Sequence, residues 1–304
     1  MATRTSSTFS RLHFKEPSVH HLVGTLPDGA GLPISYADLT SRGHLYTNHF
    51  TRTADLDLTN DWTVWESAAG ATQAISDDNA CSFLRLTNTT TDNDICGVQF
   101  TGAGGAGEFF RLRANKKRYF KVRFRAGDSD ADASSVEQMQ IFMGFQITAG
   151  AVTDLVNEGT ACTDFLGFYK GDSETALLFV SGKNNAVTTA GTLSTNAANT
   201  IAPISTGLDL ASTDAVDSNG AAGLQDDGGS GEFHTLSFLI RPTSTVTTAD
   251  VFIWIDETHY ISRQIDTDVC DDENLCLTLA TSCNEVGGTA HVLDIANVMF
   301  WSEY

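Results

Sequence analysis

The sequence predicts an all-β fold: an antiparallel β-sandwich with an extended N-terminal arm before it and a long loop insertion within it. Three observations carry this expectation. Along Tyr119 to Arg125, Phe120, Val122 and Phe124 alternate with Tyr119, Lys121, Arg123 and Arg125, the period of two of a half-buried antiparallel strand. Thr, Ser, Gly, Asp and Asn are abundant while Lys and Glu are scarce, which suits short strands joined by turns and is poor material for helices. With 304 residues and a hydrophobic fraction of 41%, the chain can bury a full core, and strands with one apolar face need a second sheet to cover it.

Residues 1–50 read as an extended arm. The stretch contains Pro17, Pro27 and Pro33, the glycines 24, 29, 31 and 43, and the histidines 13, 20, 21, 44 and 49, without a clear hydrophobic period. The histidine spacing is irregular and no Glu-x-x-His accompanies it, so the arm is not read as a metal site. The sandwich domain spans 51–304. Its pattern begins with Asp61 to Glu66, followed by Cys81 to Leu86 and Ile95 to Phe100. A glycine-rich link then leads into Gly107 to Ala126, read as a hairpin turning at Ala114 to Lys117. Phe110 and Leu112 point inward on its first strand; Phe109, Arg111 and Arg113 point outward.

Met139 to Ile147 is the most apolar strand, with Met139, Ile141, Met143, Phe145 and Ile147 on one face and Phe142 on the other. Phe165 to Lys170 and Ala176 to Val180 flank Gly171-Asp172-Ser173-Glu174 as a second hairpin. Residues 184–232 are dominated by Thr, Ala, Asn, Gly and Asp and lack aromatics, so they read as a loop insertion outside the core. Strands return at Thr235 to Arg241, ended by Pro242, then at Val251 to Ile255, His259 to Ile261, Leu275 to Leu279 and Val292 to Trp301.

The formal charge is −20, from 38 acidic and 18 basic residues. Such a chain is repelled by nucleic acid and by anionic membranes unless its cations are gathered in one place. They are gathered: Arg111, Arg113, Lys116, Lys117, Arg118, Lys121, Arg123 and Arg125 make up eight of the eighteen. The outward members of this set are a candidate docking face for an acidic partner surface; the alternative is a solvated sheet face balanced by acidic loops. The N-terminus MATRTSSTFSRLHF lacks an apolar signal-peptide core and no run is long enough to span a membrane, so the expected site of synthesis is a cytoplasm. The cysteines 81, 96, 162, 270, 276 and 283 form no C-x-x-C pair. They read as small buried hydrophobes, with a disulfide of Cys270 to Cys276 or Cys283 as the alternative in an oxidising setting.

The ordered series GEFFRLRANKKRYFKVRFR, MQIFMGFQIT, FLGFYKGDSETALLFV, IWIDETHYI and LDIANVMFW resembles the jelly-roll structural proteins of tailed bacteriophages, with their concanavalin-like or laminin-G-like sandwich. The resemblance covers roughly residues 60–183 and 234–304; the motifs are short, and their specificity lies in their order. It implies a virion protein made in the host cytoplasm that decorates or cements the capsid exterior and stabilises the head. Its implied partners are the major capsid protein and further copies of itself, as a homotrimer, with no cofactor.

The same sandwich hosts glycanases and lectins, so the fold does not decide function. Glycoside hydrolysis needs two carboxylates held across the sugar, and the nearest pair, Asp256 and Glu257, are adjacent and point apart at a turn. No G-x-S-x-G, H-E-x-x-H or phosphate loop occurs. A non-enzymatic role is therefore expected. Asp128, Asp130 and Asp132 have the spacing that opens a calcium loop but lack its glycine and distal Glu, which leaves them a weak metal candidate. The alternative function is a carbohydrate-binding adhesion module of a tail or fibre, stacking sugars on Trp62, Trp65, Trp254 or Trp301.

Overall fold

The computed structural model describes residues 43–67, 70–77, 81–91, 94–101, 110–128, 139–147, 164–171, 176–182, 204–209, 233–244, 248–256, 259–266, 274–283 and 291–303. They form fifteen strands and one 3-10 turn, Thr53–Asp55. The strands are β1 (Gly43–Asn48), β2 (Trp62–Glu66), β3 (Thr72–Asp77), β4 (Ser82–Thr87), β5 (Asp94–Phe100), β6 (Arg118–Asp128), β7 (Met139–Gln146) and β8 (Phe165–Lys170). They continue as β9 (Ala176–Gly182), β10 (Ile204–Asp209), β11 (His234–Pro242), β12 (Thr248–Ile255), β13 (His259–Asp266), β14 (Cys276–Cys283) and β15 (His291–Glu303). No described helix is long and apolar enough to cross a membrane.

Two antiparallel sheets face each other. Sheet A runs β13-β12-β11-β6-β15-β4-β3, with β1 also paired to β15; sheet B runs β10-β9-β8-β7-β14-β5-β2. The inward residues interdigitate in one core. From β6 it takes Phe120, Val122 and Phe124, and from β7 it takes Met139, Ile141, Met143 and Phe145, as the alternation predicts. Phe145 stacks on Phe110 at 3.8 Å and meets Phe120 and Phe300 edge-on at 5.5 and 5.9 Å. Each fully buried Phe contributes about 1.5–3 kcal/mol, and the aromatic geometry adds a further increment. A bulge between Ile295 and Asn297 in β15 keeps Leu293, Ile295, Val298 and Phe300 all inward along a strand that spans both halves of the sheet.

Three expectations change. Residues 43–50 belong to the sandwich, not to the arm: β1 pairs with β15 from Gly43↔Glu303 to Asn48↔Val298, and Phe50 is fully buried. Tyr46 packs on Phe100 and Phe300 at 4.4 and 5.2 Å, while Asn48 accepts from Phe50 N and donates to Asp55 O. The residues preceding Gly43 lie outside the described residues. Second, Phe110 to Arg113, the described part of the expected first hairpin strand, does not pair with β6, because β11 and β15 already occupy both edges of β6. Phe110 instead bridges to Leu275, and a turn closed by Lys116 N donating to Arg113 O leads into β6, with Asn115 at φ 58°. Phe110 and Leu112 are nevertheless buried, as expected. Third, the span 184–232 contains β10, which extends sheet B by pairing with β9; the rest of that span lies outside the described residues.

Candidate functional site

The basic strand β6 lies at the middle of sheet A, and its outward side chains divide into three environments. At the entrance, Arg111 and Arg113 are exposed and Lys116 and Lys117 half-buried. Arg118 is buried and fastens this segment: its Nε donates to Arg111 O at 3.1 Å and its Nη1 to Lys117 O and Glu303 O, both at 3.0 Å. Burial, with the Arg113 charge adding to it, pulls the Arg118 guanidinium down to about 10, against the pull of Glu303. Glu303 also accepts from Lys117 N at 2.9 Å. The entrance cations are thus presented on a backbone held by defined hydrogen bonds.

Next along β6, Tyr119 is buried and interrupts the basic series. Beyond it Lys121 is half-buried and Arg123 exposed. The Arg123 guanidinium lies 5.1 Å from the Phe233 ring centroid.

Arg125 departs from the expectation. It is buried, and its Nε donates to Asp294 Oδ2 at 2.9 Å. Arg85 grips the same carboxylate, Nε to Oδ1 at 2.8 Å and Nη2 to Oδ2 at 2.7 Å. The Arg125 guanidinium also lies 4.9 Å from the Phe83 centroid and 4.6 Å from that of Phe233. The pairing follows from sheet register, since Asp294 stands opposite Arg125 on one side and Arg85 on the other. Arg125 is therefore structural and leaves the docking set, because its charge is spent on Asp294 and its flat faces on two rings. Sequence reasoning missed Arg85, Asp294, Phe83 and Phe233. The only local signal was an aspartate within the apolar strand LDIANVMFW.

The other candidates fare differently. Asp128 is the last residue of β6, and its side chain, with Asp130 and Asp132, lies outside the described residues; no group of three metal-ligating side chains occurs among those described. His13, His20 and His21 also lie outside, as do Cys162, Cys270 and Glu257. Asp256 closes β12 at φ 48°, accepting from Thr235 N and pairing with His234 Nδ1, both at 2.7 Å. Burial alone would raise its pKa, but these bonds and the His234 charge hold it below the usual carboxylate value. Asp250 is paired with Arg241 at 2.6 Å. The outward positions of β2, β5, β7, β8, β9 and β14 include no Asp or Glu. Trp62, Trp65, Trp254 and Trp301 are all buried, at 0–3% exposure, so none of them presents a ring for sugar stacking.

No family model matches the chain, and no curated protein matches it. Among solved structures, the Emp47p carbohydrate recognition domain aligns with 12% identity and a TM-score of 0.47, over 87% of this chain and 98% of that one. Lectin I-B4 from Griffonia simplicifolia aligns with 9% identity and a TM-score of 0.42, over 86% and 100%. An endo-1,3-beta-glucanase from Streptomyces sioyaensis aligns with 12% identity and a TM-score of 0.47, over 85% and 95%. These likenesses span lectins and a glucanase and concern architecture alone. The antiparallel sandwich itself rests on the strand pairing described above.

Proposed function

We propose that this chain is a non-enzymatic structural protein of a tailed-phage virion, docking on the exterior of the capsid shell through Arg111, Arg113, Lys116, Lys117, Lys121 and Arg123. One observation carries the proposal: in a chain of net charge −20, the exposed Arg111, Arg113 and Arg123 and the half-buried Lys116, Lys117 and Lys121 gather, among the described residues, on β6 and its approach, on a backbone that the buried Arg118 ties to the end of β15. A fixed basic surface suits an acidic partner that recurs in many copies, where modest contact energies multiply through avidity. The partner under this reading is the major capsid protein, and the chain self-associates as a homotrimer, consistent with closed symmetry. Virion resemblance in the strand motifs supports the setting.

Carbohydrate binding by a tail or fibre module is the alternative, supported by the architecture alone. The burial of all four tryptophans removes the stacking platform on which it rested.

The test is charge reversal at Arg111, Arg113 and Arg123 together, all exposed, with thermal unfolding as the folding control. Reversed protein should leave particles at moderate salt, about 0.15 M, where the wild type remains bound, because screening there leaves only short-range contacts. Unchanged occupancy overturns the docking face. Glycan binding that survives the reversal favours the alternative.

A further inference from the structure

Arg123 ends an alternating stack of guanidiniums and phenyl rings on the outward side of sheet A. The Arg85 guanidinium lies 5.1 Å from the Phe83 centroid, and that of Arg125 lies 4.9 Å from Phe83 and 4.6 Å from Phe233. Arg123 follows, 5.1 Å from Phe233, and the two rings stand 6.0 Å apart. The inner arginines are committed, since both grip Asp294. Arg123 is different. It is exposed, and its guanidinium has no hydrogen-bond or ion-pair partner among the described residues.

The ring beside Arg123 is fixed from its own backbone. Phe233 directly precedes His234, whose Nδ1 pairs with Asp256 Oδ2 at 2.7 Å. Thr235 N donates to Asp256 Oδ1 at 2.7 Å, and Asp256 N donates to Thr235 O at 2.8 Å. His234 also stands opposite Phe124 in the register of β11 with β6, which brings Phe233 level with Arg125. A guanidinium posed against a fixed ring has less freedom to lose when it binds.

We infer that Arg123, posed on Phe233, is the anchor of the basic surface, and that it takes a carboxylate from an Asp or Glu side chain of an acidic protein surface. The inference deepens the docking proposal and rests on it for the acidic partner. A guanidinium offers two parallel N–H groups to a planar carboxylate. The half-buried Phe233 ring beside it offers an apolar wall to the carbon stem of the same side chain. Aromatic and arginine side chains are enriched at protein interfaces, and arginine recurs among the residues that dominate their energy. Nucleic acid fits less well, because its dense phosphate charge meets the field of a chain of net charge −20. Arg111 and Arg113 are also exposed, but no ring contacts either among the described residues. They supply charge without a preset geometry.

The test measures binding of fluorescently labelled hexaglutamate to the full-length chain by anisotropy at about 0.15 M salt, with thermal unfolding as the folding control. Arg123→Lys keeps the charge but loses the fork and the flat face, and should weaken binding about three- to tenfold. Phe233→Leu should weaken it to a similar degree, while Phe233→Tyr, which restores a ring, should recover binding to within about twofold of wild type. Arg111→Lys and Arg113→Lys should each lose less than Arg123→Lys does. Arg263→Lys, at an exposed arginine outside the basic surface, should bind as wild type does. Equal losses from lysine at positions 111, 113 and 123, no loss from Arg123→Lys, or a Phe233→Tyr loss as large as that of Phe233→Leu would each overturn the inference. So would tighter binding of labelled hexathymidylate than of hexaglutamate, or no hexaglutamate binding by wild type. The docking proposal fails separately, when the triple charge reversal leaves particle occupancy unchanged.

Discussion

Replacing Asp294 by Asn tests whether the ion cluster beneath the basic strand is structural. The substitution keeps the side-chain shape and removes the only carboxylate that two guanidiniums share in the described geometry. The two arginines respond unequally, because Arg85 is 33% exposed and gains water, whereas Arg125 is 4% exposed and does not. Removing one partner of a buried pair costs about 3–5 kcal/mol, and most of it here falls on Arg125. Arg85→Ala, which breaks the more exposed contact, should cost about 1 kcal/mol or less. In urea titration, a slope of about 3 kcal/mol/M converts the Asp294→Asn loss into a midpoint lowered by about 1–1.7 M. Replacing both partners, as Asp294→Leu with Arg125→Met, should regain much of the loss, since no charge is then stranded. An Asp294→Asn midpoint within about 0.3 M of wild type, or a double variant no better than Asp294→Asn alone, would refute the reasoning.

Three further outcomes are expected. Gly144→Ala should cost about 1–3 kcal/mol by the same titration, because the added Cβ meets Leu166 O and lies 2.6 Å from Gly167 Cα, both backbone atoms of the adjoining strand. The Cys96 thiol is pushed up to about 12, chiefly by burial, against the opposing Gln73 and Thr87 hydrogen bonds; iodoacetamide at pH 8 should therefore spare it in the native protein and label it in urea. Asp256 has a depressed folded pKa against an unfolded value near 3.8, so its contribution is present above that value and lost as pH falls through the folded one. The stability gap between wild type and Asp256→Asn should accordingly be widest near neutrality and narrow below about pH 4.

The strands that were legible in the sequence are those with one strongly apolar face. β6, β7, β12 and β15 each bury a row of large side chains, and the period of two reports that directly. β3, with the sequence TQAISD, has no fully buried residue, and β1 mixes burial on both sides; neither leaves a clear alternation. β10 was hidden by its small and polar neighbours in 184–232. The hairpin error has a different cause. Alternation around Phe110 and Leu112 correctly marked them as buried but carried no information on which strand they approach, and Phe110 pairs with Leu275 through an antiparallel backbone bridge. The direction of Arg125 was also legible, but not its fate. Its partner is 169 residues away, and Arg85 reaches the same carboxylate across 209 residues, a relation only the sheet register creates.

The central claim, that the chain is a repeated structural part of a capsid exterior, is tested most directly by its copy number. Quantitative mass spectrometry of purified particles, referenced to the major shell protein, should find the chain in hundreds of copies per particle. A dozen copies or fewer, or none, would contradict the decoration account.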